Sequence, residues 1–161
     1  MKWQAAGRFG GSIKDSDWLL LKEFFEKRKI KKVVEFGPGR STILMDAMGI
    51  SVVSYETELK YAERILPFLK RSVIIEWDGI DTKIPINTDF VFIDGPESGE
   101  SREYAYEIAA WDSEVPFVGC HDYQRECETR WRNKFMNGWP CLAKGEFTAV
   151  YGRVLPKPQR P

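Results

Sequence analysis

The sequence predicts an α/β fold with a doubly wound, mostly parallel sheet of about seven strands and a C-terminal antiparallel hairpin. Three observations predict this fold. Short apolar runs alternate with segments of helical periodicity, four successive apolar runs end in an acidic residue, and the last runs, 142–143 and 147–151, flank a Lys-Gly-Glu turn. Alternating strands and helices favour a parallel sheet, and right-handed crossovers bring its strand ends to one edge.

The expected organisation is an N-terminal arm over residues 1–14, a single domain over 15–153 and a disordered tail over 154–161. The arm is rich in glycine and follows neither the helical nor the strand period. Residues 15–29 begin with Asp-Ser-Asp and repeat apolar side chains at helical spacing, which predicts a helix packed on the sheet. The tail contains three prolines and should not fold.

The first strand leads into a glycine turn that is the best candidate for a ligand site. An apolar run ends at Glu35, and Gly37 and Gly39 permit unusual backbone torsions and close approach of a ligand. We expect Ser41 to cap a helix over residues 41–48, whose free N–H groups would face the ligand. Because Glu35 would repel a phosphate, this turn favours a cationic or ammonium-bearing ligand.

Two further strands are expected to end at candidate ligand-binding residues. Residues 50–55 are rich in β-branched side chains and stop at Glu56, in the position of an acid that accepts ribose hydroxyls. A surface glutamate that caps the next helix is the alternative. A strand over 72–76 leads to Asp78 and Gly79. These two residues are candidates for ligand binding, and a simple Asp-Gly turn without a ligand is an equally good interpretation.

The two central strands end beside candidate catalytic groups. The apolar run Phe90–Ile93 fits a strand covered on both faces, and Asp94 follows it. A strand over residues 115–118 leads towards His121, the single histidine of the sequence, and Asp122. We expect His121 to face Asp94 across one crevice, with a structural histidine and a turn aspartate as the alternatives.

The composition argues against several classes of partner. Lys+Arg and Asp+Glu are equal at 24 each, so no global positive field attracts nucleic acid or an anionic membrane. Three cysteines without C-x-x-C spacing argue against a disulfide framework and a structural zinc site. No apolar run reaches the roughly 18 residues of a membrane span. We therefore expect a cytoplasmic protein with neither a nucleic-acid nor a membrane partner.

The glycine turn differs from the G-x-G-x-x-G fingerprint of dinucleotide-binding proteins. Thr42 stands where the third glycine belongs, and Glu35 precedes the first. The E-x-G-x-G pattern resembles instead the first motif of the class I S-adenosylmethionine-dependent methyltransferases, with Glu35, Gly37 and Gly39 in the matching places. The resemblance extends over residues 33–151.

This resemblance implies S-adenosylmethionine as the cofactor. Glu35 and the glycine backbone would hold its methionyl end, Glu56 its ribose and Asp78 its adenine. The implied cofactor-binding residues lie in the glycine turn or at strand ends: Glu35, Gly37, Gly39, Ser41, Thr42, Glu56, Asp78, Gly79 and Asp94.

A narrower likeness covers the two central strand ends. The runs Asp-Phe-Val-Phe-Ile-Asp-Gly-Pro and Val-Gly-Cys-His-Asp-Tyr-Gln-Arg-Glu look like those of plant glucuronoxylan O-methyltransferases and related small O-methyltransferases. The loop after Gly95-Pro96 is short and differs from that family's pattern. The likeness implies in-line methyl transfer to a small-molecule or carbohydrate hydroxyl, which Asp94, His121 or Asp122 would deprotonate or orient.

Two other interpretations use the same residues. Asp94, His121 and Asp122 offer oxygen ligands and one imidazole, so a divalent metal of the kind that catechol-type methyltransferases use is an option. A chain this small, without an obvious substrate cap, could also be a non-catalytic module that binds S-adenosylmethionine or S-adenosylhomocysteine and regulates a partner.

Overall fold

A computed structural model of the chain describes residues 13–80, 82–96, 99–111 and 114–153. The predicted arm over 1–14, except for its last two residues, and the predicted tail over 154–161 lie outside the described residues. Ile13, the first described residue, is buried.

The described residues form one seven-stranded sheet. Its strands are β1 (Lys32–Phe36), β2 (Ser51–Glu56), β3 (Val73–Glu76), β4 (Phe90–Ile93), β5 (Phe117–His121), β6 (Cys141–Lys144) and β7 (Thr148–Gly152). The spatial order is β3-β2-β1-β4-β5-β7-β6. Strands β1 to β5 are parallel to their neighbours, and β7 pairs antiparallel with both β5 and β6. The predicted fold class is therefore confirmed.

Five α-helices accompany the strands in the described part of the chain. They are α1 (Asp15–Arg28), α2 (Arg40–Ala47), α3 (Leu59–Ile65), α4 (Glu100–Trp111) and α5 (Glu126–Phe135), with a short 3-10 helix (Leu66–Phe68) after α3. The fifth strand begins later than predicted, after Pro116, which has no N–H to offer a neighbouring strand. No helix within the described residues combines the length and apolar character that crossing a bilayer requires.

The central strand β4 shows why its sequence is a continuous apolar run. Phe90 and Phe92 belong to the core cluster on the α1 side of the sheet, and Phe90 packs edge-on against Phe25. Val91 and Ile93 belong to the cluster on the opposite side, with residues of α4 and α5. Because both faces of β4 are covered, no polar side chain is tolerated along it.

The chain order makes the carboxyl ends of β1 and β4 the topological switch point of the sheet, where a crevice is expected. The connection after β1 leads to β2 on one side, whereas β4 lies on the other side of β1. Ligands of open α/β sheets bind at such a switch point, outside the carboxyl ends of the strands. Of the acidic residues predicted at strand ends, Glu56, Asp78 and Asp94 lie at this edge, whereas Glu35 lies within β1 and is fully buried.

Asp17 ties α1 to the C-terminal hairpin. It lies in the Asp-Ser-Asp that begins α1, but the N-cap of the helix is Lys14, which makes no side-chain cap hydrogen bond. The Asp17 carboxylate is fully buried, and its Oδ1 accepts the N–H groups of Phe147 and Thr148, each at 3.1 Å. Thr148 is thereby fixed next to the crevice.

Removal of this carboxylate should destabilise the fold. Asp17→Ala leaves two N–H groups of the hairpin without an acceptor, so we expect the free energy of unfolding to fall by roughly 2 to 4 kcal/mol. Chemical denaturation measures it. Glu23→Ala, an exposed change on the same helix, is the matched control and should change stability by less than about 0.5 kcal/mol. Equal losses in the two variants would contradict this role of Asp17.

Candidate functional site

Four adjacent strands present their ends in one row at the carboxyl edge of the sheet. Phe36 is in register with Tyr55 on one side and with Ile93 on the other, and Ile93 is in register with Cys120. The next residue of each strand end therefore falls in the same row: Glu56, Gly37, Asp94 and His121. The sequence predicted these residues to lie at one edge, and the pairing register brings them together.

The carboxyl group of Glu35 is enclosed by hydroxyl groups of the protein. It is fully buried and accepts hydrogen bonds from Ser41 Oγ at 2.5 Å, Thr42 Oγ1 at 2.5 Å and Ser54 Oγ at 2.8 Å. These bonds fasten the first turn of α2 to β1 and β2. Glu35 thus holds the glycine turn in place through the start of α2.

The prediction that Ser41 caps α2 is wrong. The N-cap is Gly39, and its N–H donates to Thr42 Oγ1 at 2.8 Å. Ser41 is the second residue of α2, and its hydroxyl donates to Glu35 instead of accepting a backbone N–H as a cap would. Ser41 and Thr42 are both fully buried. Any contact of these two residues with a ligand would therefore run through their backbone.

Burial raises the pKa of Glu35 from 4.5 to about 7. The hydrogen bonds from Ser41, Thr42 and Ser54 act in the opposite direction, and the negative charge of Asp94 raises the pKa further. At neutral pH the group is consequently poised between its protonated and ionised forms.

Gly37 and Gly39 differ in what surrounds them. Gly37 has a φ of +84°, and a Cβ there would lie 2.4 Å from the Cα of Gly95, so the turn packs directly on the loop after β4. A Cβ at Gly39 would meet nothing within 4 Å. The turn is therefore closed at Gly37 and open at Gly39, which leaves room for a bulky group beside the start of α2.

Glu56 ends β2 as predicted. Only 7% of the residue is exposed, and its Oε1 accepts the N–H of Glu58 at 2.9 Å and the hydroxyl of Thr57 at 3.4 Å. Burial raises the pKa of this carboxyl, while those hydrogen bonds lower it. The carboxylate is held at the strand end by its own chain.

Asp78 lies at the outer end of the same edge. It is exposed, and its Oδ1 accepts the N–H of Ile80 at 3.0 Å, which is the Asp-Gly turn considered from the sequence. Gly79 is buried with a φ of +83°, and a Cβ there would lie 2.2 Å from Ser101 Oγ at the start of α4. The backbone N–H of Trp77 donates to the carbonyl of Glu56 at 2.8 Å, which sets this loop beside the end of β2.

His121 lies between two carboxylates. Its Nε2 is 3.9 Å from Asp94 Oδ1 and 3.7 Å from Asp122 Oδ1, while its Nδ1 is 3.0 Å from Thr148 Oγ1. The predicted approach of His121 to Asp94 is thus present in the structure. Asp122 also forms an ion pair with Arg125 at 2.7 Å. This cluster can accept, hold and release a proton at the mouth of the crevice.

The environment of Asp94 raises the pKa of its carboxyl above the ordinary value. Burial is the largest effect and raises its pKa, whereas His121 and Arg102 lower it and Asp122 raises it. A carboxyl group with a raised pKa beside a histidine is typical of sites that move protons.

Arg102 is a buried residue in the first turn of α4, close to this edge of the sheet. Its Nη1 donates to the carbonyls of Asp94 at 2.9 Å and Pro96 at 3.0 Å, and its Nη2 donates to the carbonyl of His121 at 3.1 Å. Its Nε contacts Glu128, and both side chains are almost completely buried. Arg102 therefore joins the ends of β4 and β5 through their backbones.

A signal for this role exists in the sequence. Arg102 shares one helical face with Ala105, Tyr106 and Ala109, and a charged residue in an apolar stripe indicates a buried partner. The partner, Glu128, is on another helix and could not be identified by spacing.

The metal interpretation gains no support from the donor arrangement. Across residues 13–80, 82–96, 99–111 and 114–153, no three His, Cys, Asp or Glu side chains form a group suited to hold a metal ion.

The pKa of Glu35 makes a prediction about stability. Because its pKa rises from 4.5 to about 7 on folding, the folded state binds this proton more tightly, and the free energy of unfolding should fall as pH rises through that window. Glu35→Gln removes the titration. The stability difference, wild type minus variant, should decrease by roughly 3 kcal/mol between these pH values.

Denaturation of both proteins at a series of pH values measures this difference. Glu63→Gln, an exposed change on α3, is the control and should give a curve parallel to that of the wild type. A difference between wild type and Glu35→Gln that does not vary with pH would contradict the buried, titrating carboxyl.

No protein-family model and no curated protein sequence matches the chain. Solved structures match its fold. An O-methyltransferase from Bacillus cereus in complex with SAH is 16% identical with a TM-score of 0.65, over 93% of this chain and 86% of that chain. The tRNA (m1A58) methyltransferase TrmI from Aquifex aeolicus is 14% identical with a TM-score of 0.65, over 92% and 72% of the two chains.

A TDP-rhamnose 3′-O-methyltransferase of calicheamicin biosynthesis is 14% identical with a TM-score of 0.64, over 84% of this chain and 78% of that chain. These neighbours differ in their acceptors, so at such identities the likeness concerns the fold alone. The chain has the Rossmann-like fold of the S-adenosylmethionine-dependent methyltransferases.

Proposed function

We propose that this chain is an S-adenosylmethionine-dependent methyltransferase that methylates a hydroxyl group of a small-molecule or carbohydrate acceptor. The observation that carries the proposal is the row formed by Glu56, Gly37, Asp94 and His121 across four adjacent strands. One end of the row suits an adenosyl group and the other a proton-accepting site, and the glycine turn lies between them.

The residues present fit this cofactor. The space beside Gly39 accommodates a bulky group, and Glu56 offers a nearly buried carboxylate at the position suited to ribose hydroxyls. Asp78 with Gly79 would hold the adenine, and the backbone of Gly37 and Gly39 the methionyl end. When bound, the cofactor supplies a methyl group on a positively charged sulfur.

The acidic character of this edge supports a cationic ligand. Glu56 and Asp94 lie in the row itself, and Asp122 lies beside it. Carboxylates attract a sulfonium compound and repel phosphate groups. The same charges support a small or carbohydrate acceptor over nucleic acid, although a structural neighbour acts on tRNA.

The cluster around His121 would prepare the acceptor. The hydrogen bond between Nδ1 and Thr148 fixes the ring, so that Nε2 is directed to the side of Asp94 and Asp122. An acceptor hydroxyl at this position could transfer its proton to Nε2, and the two carboxylates would stabilise the imidazolium that forms. Most of the rate enhancement would come from alignment of acceptor oxygen and methyl carbon, worth up to roughly 7 to 11 kcal/mol in favourable models.

The cysteines support the proposed cytoplasmic location. Cys120 is buried, and Cys127 and Cys141 are also free thiols. Unpaired thiols persist in a reducing compartment.

Cofactor binding is tested by isothermal titration calorimetry with S-adenosylmethionine and S-adenosylhomocysteine. We expect Glu56→Gln to weaken both affinities by about 10- to 100-fold, because the charged acceptor for the ribose hydroxyls is lost. Glu58→Gln, an exposed neighbour that contacts Lys60, is the control and should bind as the wild type does. Absence of binding by the wild type at millimolar ligand, or equal affinities in both variants, would contradict the assignment.

The acceptor site is tested by transfer of a tritiated methyl group to pooled carbohydrates, small phenols and proteins. His121→Ala and Asp94→Asn should each reduce turnover by about 100-fold or more, because proton transfer and its stabilisation are lost. The affinity of His121→Ala for S-adenosylhomocysteine, measured in parallel, should stay within a few-fold of that of the wild type. Unchanged turnover in both variants would overturn the proposed roles.

The same assay separates the alternative function. A non-catalytic regulatory module would bind S-adenosylmethionine or S-adenosylhomocysteine in the calorimeter and transfer no label to any acceptor class. Transfer of the labelled methyl group that is lost in His121→Ala supports the methyltransferase function.

A further inference from the structure

The two edges of the sheet differ in how they are protected. At one edge, β6 follows Pro140, contains a register shift between Cys141 and Ala143, and ends in Lys144. Proline, irregular pairing and lysine are common devices that prevent an edge strand from pairing with another chain. At the other edge, β3 reads Val-Ile-Ile-Glu and has none of them.

One face of β3 exposes apolar side chains. Val73 is 51% exposed and Ile75 43% exposed. They are in register with Val53 and Tyr55 of β2, so they extend an apolar face of the sheet beyond its covered part. The connection from β3 to β4 contains no helix among its described residues, 77–80 and 82–89, which is why the outer part of this face is not covered.

The backbone of β3 is ready to pair on its open side. The N–H of Trp77 donates to Glu56 of β2, and strand residues alternate in the direction of their N–H and C=O groups. The backbone groups of Ile74 and Glu76 therefore point away from β2. Within the described residues no strand pairs with that side of β3.

The two ends of β3 carry opposite charges, so two antiparallel β3 strands are complementary in charge. Lys70 and Arg71 precede β3, and Glu76 and Asp78 lie at its other end. In an antiparallel pair of two β3 strands with Ile74 at the centre, the basic end of each strand lies beside the acidic end of the other. The same register places Val73 of one copy beside Ile75 of the other.

We propose that the β3 edge binds a second copy of this chain, with the two β3 strands antiparallel and in register about Ile74. The N–H of each Ile74 donates a hydrogen bond to the C=O of Ile74 in the other copy. The N–H of Glu76 in one copy donates to the carbonyl of Ser72 in the other. The four exposed apolar side chains form one cluster across the two-fold axis. Because β3 is only four residues long, the contact is small and the dimer depends on concentration.

Sedimentation velocity of the full chain over a series of concentrations tests the proposal. We expect a concentration-dependent equilibrium between 18.7 kDa chains and a dimer of twice that mass. The double variant V73K/I75K places like charges opposite each other and should remain monomeric. V73K/I75E removes the same apolar side chains but places Lys opposite Glu only in this register, and its dissociation constant should be about tenfold or more below that of V73K/I75K.

Two controls complete the design. Leu142→Lys changes an exposed apolar residue on the other edge and should dimerise as the wild type does. Far-UV circular dichroism and thermal melting establish that each variant is folded. Neither readout involves the cofactor, so failure of this proposal is distinguishable from failure of the proposed function.

A wild type that is monomeric at every concentration would overturn the proposal. Dimerisation of V73K/I75K equal to that of the wild type would exclude β3 as the contact. Identical behaviour of V73K/I75K and V73K/I75E would contradict the register.

Discussion

The structure depends most on the buried ion pair between Arg102 and Glu128. The Arg102 guanidinium also donates hydrogen bonds to backbone carbonyls of Asp94, Pro96 and His121, so a single side chain joins α4, α5 and the ends of β4 and β5. Loss of one partner of such a buried pair typically costs about 3 to 5 kcal/mol, because the other charge is left without compensation. The separation between Asp94 and His121 is a consequence of this arrangement.

The acidic residues near the crevice fall into two groups with different physical roles. Glu35 and Glu128 are enclosed by partners from the protein and hold elements together. Glu56 and Asp94 lie in the row at the edge of the sheet, where a ligand could reach them. The buried carboxyls build the frame, and the edge carboxyls give it an acidic rim suited to a positively charged ligand.

The sequence predicted the parts of this arrangement that follow from periodicity. The alternation of strands and helices predicted the sheet, and the acid after a strand marked the carboxyl edge of the sheet, as at Glu56 and Asp94. Contacts between distant elements were beyond such reasoning. Nothing local distinguishes Asp17 as an acceptor for the hairpin, or Ser41 as a donor to Glu35 rather than a helix cap, because tertiary partners decide which local hydrogen bond is made.

A crystal structure of the chain grown with S-adenosylhomocysteine tests the central claim most directly. We expect the ligand at the carboxyl ends of β1 and β2, with its ribose hydroxyls on the Glu56 carboxylate and its amino-acid end at the turn formed by Gly37 and Gly39. A ligand bound elsewhere on the chain, or none bound at saturating concentration, would contradict it.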